Sequence, residues 1–216
     1  EFVVPADRNA VGGCIPVALD AGRHVEKREL PGRGIEPDDL VVAEPLKETL
    51  KDIVFEARHR GDFWEQENSR RMFPQGRGLI ALFSGPPGTG KTMSAQVIAA
   101  NLQQDLFRID LSSIVSKYVG ETSQNLERLL TRAAEMDAVL LFDEADAMFS
   151  KRVSEVRDAQ DKFANTDAAY LLQAIESFPG IAILATNQKQ NIDPAFIRRL
   201  RFVIEFEKPN ASQRLE

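Results

Sequence analysis

The stretch Gly85-Pro86-Pro87-Gly88-Thr89-Gly90-Lys91-Thr92 constrains this chain more than any other, because it satisfies the full G-x-x-x-x-G-K-[ST] pattern. The apolar run Leu79-Ile80-Ala81-Leu82-Phe83-Ser84 before it is short enough for a buried strand. The segment from Met93 to Leu102 after it places Val97, Ile98 and Ala100 at helical spacing. Strand, glycine loop and helix in that order form a phosphate cradle. Glycines let successive backbone N–H groups converge on an anion, and the helix N-terminus adds partial positive charge. Lys91 is placed for the β- and γ-phosphates and Thr92 for Mg²⁺, which specifies a nucleoside triphosphate rather than a dinucleotide.

With 216 residues and 43% hydrophobic content, the chain can bury one α/β core plus an accessory segment. The formal charge of −6 offers nucleic acid no general attraction, so none is expected as a partner. Cys14 is the one cysteine and cannot form an internal disulfide, and no Cys/His cluster has metal-site spacing, which points to a reducing compartment. No apolar run approaches the roughly 20 residues of a membrane span. The N-terminus lacks the plan of a signal peptide, and a cytoplasmic location is expected. Glu1-Phe2 and Leu215-Glu216 have the look of cloning remnants, so a chain cut from a longer protein is expected.

Residues 1–36 are broken by prolines and glycines and receive no functional assignment beyond a linker or the tail of an upstream region; His24 there reads as a surface residue. From Glu44 a helix is predicted, with Leu46, Leu50, Ile53, Val54 and Ala57 on one face and His59 at its solvated end. Further strands are predicted at Leu106 to Ile109, Ala138 to Phe142, Ile181 to Ala185 and Phe202 to Phe206. Helices are predicted at Ser123 to Ala134, through Leu171, Leu172 and Ile175, and from Pro194. The expected fold is α/β: a five-stranded, mainly parallel sheet with helices on both faces, binding its ligand at the carboxyl ends of the strands.

The chemistry-bearing residues fall at those ends. Val139-Leu140-Leu141-Phe142 runs into Asp143-Glu144-Ala145-Asp146, the Walker B arrangement. Asp143 can hold Mg²⁺ through its water shell, and Glu144 can orient and deprotonate the water that attacks the γ-phosphate. Asp146 reads as a cap or surface residue. Asn187, after Ile181 to Thr186, can hydrogen-bond the γ-phosphate or the attacking water, although Thr-Asn after a strand is also a common turn. Arg198, Arg199 and Arg201 form a cationic cluster after a helix starting at Asp193. Such a cluster can serve a phosphoryl transition state or merely compensate a helix C-terminus.

Taken together, Gly-Pro-Pro-Gly-Thr-Gly-Lys-Thr, Ser116-Lys117-Tyr118-Val119-Gly120-Glu121-Thr122, Phe-Asp-Glu-Ala-Asp, Ala-Thr-Asn and Asp-Pro-Ala-Phe-Ile-Arg-Arg-Leu-Arg-Phe resemble the AAA+ ATPases, in order and at that family's spacing, over roughly residues 37 to 214. The resemblance implies ATP as the nucleotide, Asn187 as sensor 1, and Arg198 and Arg201 as fingers reaching a neighbouring subunit. The family's Arg-Pro-Gly-Arg-Phe-Asp is Arg198-Arg199-Leu200-Arg201-Phe202-Val203 here. It implies Tyr118 and Val119 as a pore loop gripping polypeptide, although a tyrosine there can also be a packed loop aromatic. Asp39 and Leu40 would line the adenine pocket, with Val41-Val42 in place of the family's glycines and Met93 as an apolar contact to the base. Residues 37–209 would be the large ATPase subdomain and 210–216 the first turn of a helical lid whose remainder, with its sensor 2 arginine, is missing. The reading that follows is a ring-forming motor, a hexamer of identical subunits, that hydrolyses ATP and remodels or threads protein. A nucleic-acid motor of the helicase kind is the alternative. A GTP switch is disfavoured because residues 187 to 190 are Asn-Gln-Lys-Gln rather than Asn-Lys-x-Asp.

Overall fold

The structure, a computed structural model, describes residues 25–28, 40–65, 78–111, 121–145, 170, 172–188, 192 and 194–209. Asp39, Tyr118, Val119, Asp146, Cys14, His24 and the expected lid start at 210–216 lie outside the described residues.

Strands β1 (Val25–Arg28), β2 (Leu79–Ser84), β3 (Leu106–Asp110), β4 (Val139–Asp143), β5 (Ile181–Thr186) and β6 (Phe202–Glu205) form one sheet in the order β1-β3-β4-β5-β2-β6. β2 to β6 are parallel, as the sequence predicts. β1 adds a sixth, antiparallel strand at the edge, with Val25 opposite Ile109. Its sequence, Val-Glu-Lys-Arg, has one apolar residue among three charges. Nothing in it signals a strand, and its conformation comes from the hydrogen-bond ladder offered by β3.

All six residues of β2 and all six of β5 are buried, which is why both read as near-continuous apolar runs instead of alternating ones. Among the described residues the helices are α1 (Glu44–Glu65), α2 (Lys91–Leu102), α3 (Glu121–Glu135), α4 (172–177) and α5 (Pro194–Ile197). Successive strand residues face opposite sides, so the sheet divides two cores. Ile80, Leu82, Phe107, Ile109, Leu140, Phe142 and Leu184 pack with Leu126, Leu129 and Leu130 of α3, Ile175 of α4 and Phe196 of α5. Leu79, Ala81, Phe83, Leu106, Val139, Leu141 and Ile183 pack with Leu50 and Ile53 of α1 and with Ala95 and Ile98 of α2. Burying each such side chain contributes about 1.5–3 kcal/mol, and it seats α2 directly behind the glycine loop.

Helix α1 corrects one expectation. It does not end at His59 but continues through Arg60 and Gly61 to Glu65. An interior glycine costs about 1 kcal/mol. That cost is offset by a tertiary tie, Arg60 donating to the carbonyl of Gly78, and by the i,i+4 pair of Arg60 with Glu56 at 3.7 Å within the helix. Burial lowers the pKa of the Arg60 guanidinium from its ordinary value; Glu56 opposes that shift and Arg201 adds to it. His59 is an exposed mid-helix residue, its Nδ1 2.8 Å from the carbonyl of Phe55 and its ring 4.2 Å from the Phe55 ring.

The two-core arrangement predicts opposite outcomes for two apolar truncations. Leu82→Ala, at a position with no solvent exposure, should destabilise by about 2–5 kcal/mol. Phe55→Ala, at a residue 64% exposed, should stay within about 0.5 kcal/mol. Urea denaturation with an unchanged slope is the measurement.

Candidate functional site

The ladders decide what meets at the carboxyl end of the sheet. Ser84 is level with Thr186, Asp110 with Asp143, and Phe142 with Leu184. The loop after β2, Asn187 after β5 and the Asp143-Glu144 pair ending β4 therefore emerge side by side.

The loop is held by its own strands and by one turn inside it. Gly85 donates its N–H to Thr186 O at 3.1 Å, and Thr89 Oγ1 donates to Pro86 O at 2.8 Å. Gly85 could carry no side chain, since a Cβ there would come within 2.2 Å of the Phe206 carbonyl oxygen. Gly90 caps α2 in the left-handed region, φ 96°, and its carbonyl accepts the Ser94 N–H at 2.8 Å, so the chain turns from loop into helix within one residue.

Lys91 is 8% exposed. Its Nζ donates to Gly85 O at 2.6 Å, Pro86 O at 2.9 Å and Asn187 Oδ1 at 3.0 Å. These three acceptors are neutral oxygens, and Lys91 opens α2, whose N-terminal end favours an anion. Thr92 follows in the first turn of α2. Gly88 and Gly90 line one wall of an adjoining cavity of about 720 Å³. Leu40, Val41, Val42 and Met93 line the same cavity, so the residues assigned to base contact from sequence come together, Asp39 excepted, which is outside the described residues.

A further part of the wall carries no such signal in the sequence. It is formed by Val203 to Pro209, including Ile204 and the fully buried Phe206. No motif marks this segment; only the β2–β6 ladder, which sets Glu205 beside Ser84, carries it there.

On the acidic side, Asp143 is gripped from β3. Arg108 donates to Asp143 Oδ2 from Nε at 2.9 Å and from Nη2 at 2.6 Å. Oδ1 accepts the Glu144 N–H at 2.9 Å, and Glu144 itself has φ 53°, a left-handed conformation uncommon for a non-glycine residue. Arg108 escaped the sequence reading. Its one signal is a cation in the middle of an otherwise apolar strand, two residues before Asp110.

The three arginines do not converge on their own chain's loop. Arg201 donates its backbone N–H to Ile80 O, near the start of β2, roughly 16 Å along the strand from Gly85. Its side chain pairs with Glu56 at 2.8 and 3.0 Å, and that of Arg199 with Glu176 at 2.8 and 3.1 Å. Both are well over half exposed, so these pairs hold little energy, about 0–1 kcal/mol each. The side chain of Arg198 is exposed and makes no hydrogen bond or ion pair with another described residue.

Comparison with known proteins agrees with this geometry. Residues 81–210 match the model of the ATPase family associated with various cellular activities. The chain is 37% identical over 138 residues to the ATPase family gene 2 protein of Schizosaccharomyces pombe, covering 62% of this chain and 17% of that one. It is 35% identical over 142 residues to the 26S proteasome subunit RPT4 of Saccharomyces cerevisiae, covering 62% and 32%. It thus spans a third or less of the length of these two relatives. Among solved structures, the FIGL-1 AAA domain in complex with ADP superimposes with a TM-score of 0.65 at 25% identity, over 89% of this chain and 61% of that one. A glycine loop closing on its lysine, paired carboxylates and an asparagine on neighbouring parallel strands, and a family match across all three place this chain in the AAA family of ATPases.

Proposed function

We propose that this chain is the large nucleotide-hydrolysing subdomain of a ring-forming, cytoplasmic protein-remodelling motor, with residues 37–209 as its ATPase unit and 210–216 opening a helical lid. The observation that carries the proposal is the 3.0 Å hydrogen bond between Lys91 and Asn187, which ties the phosphate loop to the polar end of a neighbouring strand at the place a γ-phosphate would occupy. A relative bound to ADP and another named as a proteasome subunit support it. Nothing observed favours the nucleic-acid motor alternative.

In this reading the cavity beside Leu40 and Met93 takes the adenine, and the loop from Gly85 to Thr92 takes the phosphates. Thr92 and Asp143 supply the oxygen donors for Mg²⁺. Among the described residues no group of three or more His, Cys, Asp or Glu could hold a metal unaided, and one hydroxyl with one carboxylate suits Mg²⁺, which completes its shell with phosphate and water. When bound, Mg²⁺ would supply charge neutralisation on the phosphates. Lys91 does the same from the protein side, Glu144 orients and deprotonates the attacking water, and Asn187 holds the γ-phosphate or that water. Arg198 and Arg201, at the far end of the sheet from their own loop, serve the next subunit in a homo-hexamer, and Tyr118 with Val119 grips the polypeptide.

Two substitutions in the intact protein separate binding from chemistry. Lys91→Ala should weaken binding of a fluorescent ATP analogue by about 10–100-fold through loss of charged hydrogen bonds. Glu144→Gln should bind normally but lose about 10²–10⁴-fold in turnover. Equal affinity in Lys91→Ala, or normal phosphate release in Glu144→Gln, would contradict these roles.

Action across a subunit boundary is tested by mixing. Arg198→Ala should lower turnover by up to about 10³–10⁵-fold. Lys91→Ala subunits, which keep the arginines but bind nucleotide weakly, should restore activity when mixed with it. A mixture as inactive as its components argues for arginines that act within one chain.

Tyr118→Ala should leave nucleotide affinity and assembly intact while abolishing substrate remodelling, read with a fluorescent protein substrate that loses signal on unfolding. Undiminished remodelling would exclude the pore-loop role.

A further inference from the structure

We infer that Arg108 is a positioning residue for the nucleotide site, aligning Asp143 and, through it, the peptide of Glu144; this rests on the Mg²⁺ and water-activating roles proposed above. Arg108 is level with Leu141, so Asp143 is its diagonal neighbour on the next strand and the same face. A guanidinium is long enough to cross that diagonal and planar enough to deliver two N–H groups to one oxygen. Both of its bonds, 2.9 and 2.6 Å, go to Oδ2.

A carboxylate has about four acceptor positions. Arg108 takes two on Oδ2, and the Glu144 N–H takes one on Oδ1 at 2.9 Å. The carboxylate is thereby fixed in rotation, with the remaining lone pair on Oδ1. The bond from Oδ1 also holds the Glu144 peptide, whose left-handed φ of 53° carries a strain cost for a residue with a Cβ. The next peptide is pinned as well, Ala145 N–H to Ala185 O at 2.9 Å, so Glu144 is suspended between two fixed amides.

Electrostatics gives the same residue a second reason to be cationic. Asp110 lies level with Asp143, and Glu144 follows at once, so three carboxylates share the ends of two adjacent strands. Like charges in such proximity repel, and the Arg108 cation offsets them without occupying the loop side of Asp143. With Arg108 removed, Asp143 is free to rotate about χ2, and the Glu144 peptide loses its fixed acceptor.

The test uses Arg108→Gln, Arg108→Lys and Asp143→Asn in the intact protein, with ATP affinity measured in EDTA and in Mg²⁺, and steady-state turnover alongside. Arg108→Gln should keep its affinity in EDTA. Its gain in affinity from Mg²⁺ and its turnover should each fall by about 10–100-fold, the range for residues that orient metal ligands. Arg108→Lys, with one cationic donor group but no fork, should recover part of both. If Asp143→Asn loses the Mg²⁺ gain while Arg108→Gln keeps wild-type gain and turnover, the positioning role is wrong and the Asp143 role stands. If Asp143→Asn itself keeps the gain, the Asp143 role fails and takes the inference with it. A larger Mg²⁺ gain in Arg108→Gln would make Arg108 a competitor for Asp143, and a loss of affinity in EDTA would make the pair a support of the fold; either overturns the inference.

Discussion

The in-register parallel ladder joining β2, β5 and β4 is the constraint on which the rest of the structure depends. Parallel strands end together on one side of a sheet, so any loop that leaves β2 must meet what leaves β5 and β4. Six matched residues, Leu79 to Ser84 against Ile181 to Thr186, leave no freedom to slip, because a shift of one residue would turn every buried side chain to the wrong core. Even the two polar residues closing these strands are committed: Ser84 Oγ donates to Ile204 O at 3.0 Å, and Thr186 Oγ1 accepts the Gln188 N–H at 3.0 Å.

On that frame the charges are sorted by burial. Lys91 is the innermost cation, and its Nζ donates to Gly85 O, Pro86 O and Asn187 Oδ1. Arg108 is intermediate and is held by a carboxylate with a second carboxylate nearby. Arg199 and Arg201 are outermost, in exposed pairs that can exchange partners at little cost. The inner cations are thus fixed by several hydrogen bonds each, and the exposed ones sit in pairs open to exchange.

The phosphate loop, the Asp143-Glu144 pair and the α/β architecture were legible in the sequence because each depends on local chemistry: glycines that permit a turn, an apolar run that must be buried, carboxylates at its end. The cavity beside the loop was legible by halves. Leu40, Val42 and Met93 belong to recognisable segments, whereas Val203 to Pro209 reach the same cavity only because β6 pairs with β2 across more than a hundred residues of chain. The extent of α1 past Gly61 is hidden for a related reason, since the contact from Arg60 to the Gly78 carbonyl outweighs a local preference.

The sequence by itself determined the glycine loop, the buried strands and the polar residues that end them, and where along the chain they lie, since backbone permissiveness, hydrophobic period and side-chain ionisation are properties of short segments. Only the tertiary structure decided that β1 joins β3, that Phe206 walls the pocket and forbids a side chain on Gly85, and that Arg108 grips Asp143. These are pairings between residues distant or unremarkable in sequence, and strand order and register, which no single segment encodes, are what make them neighbours.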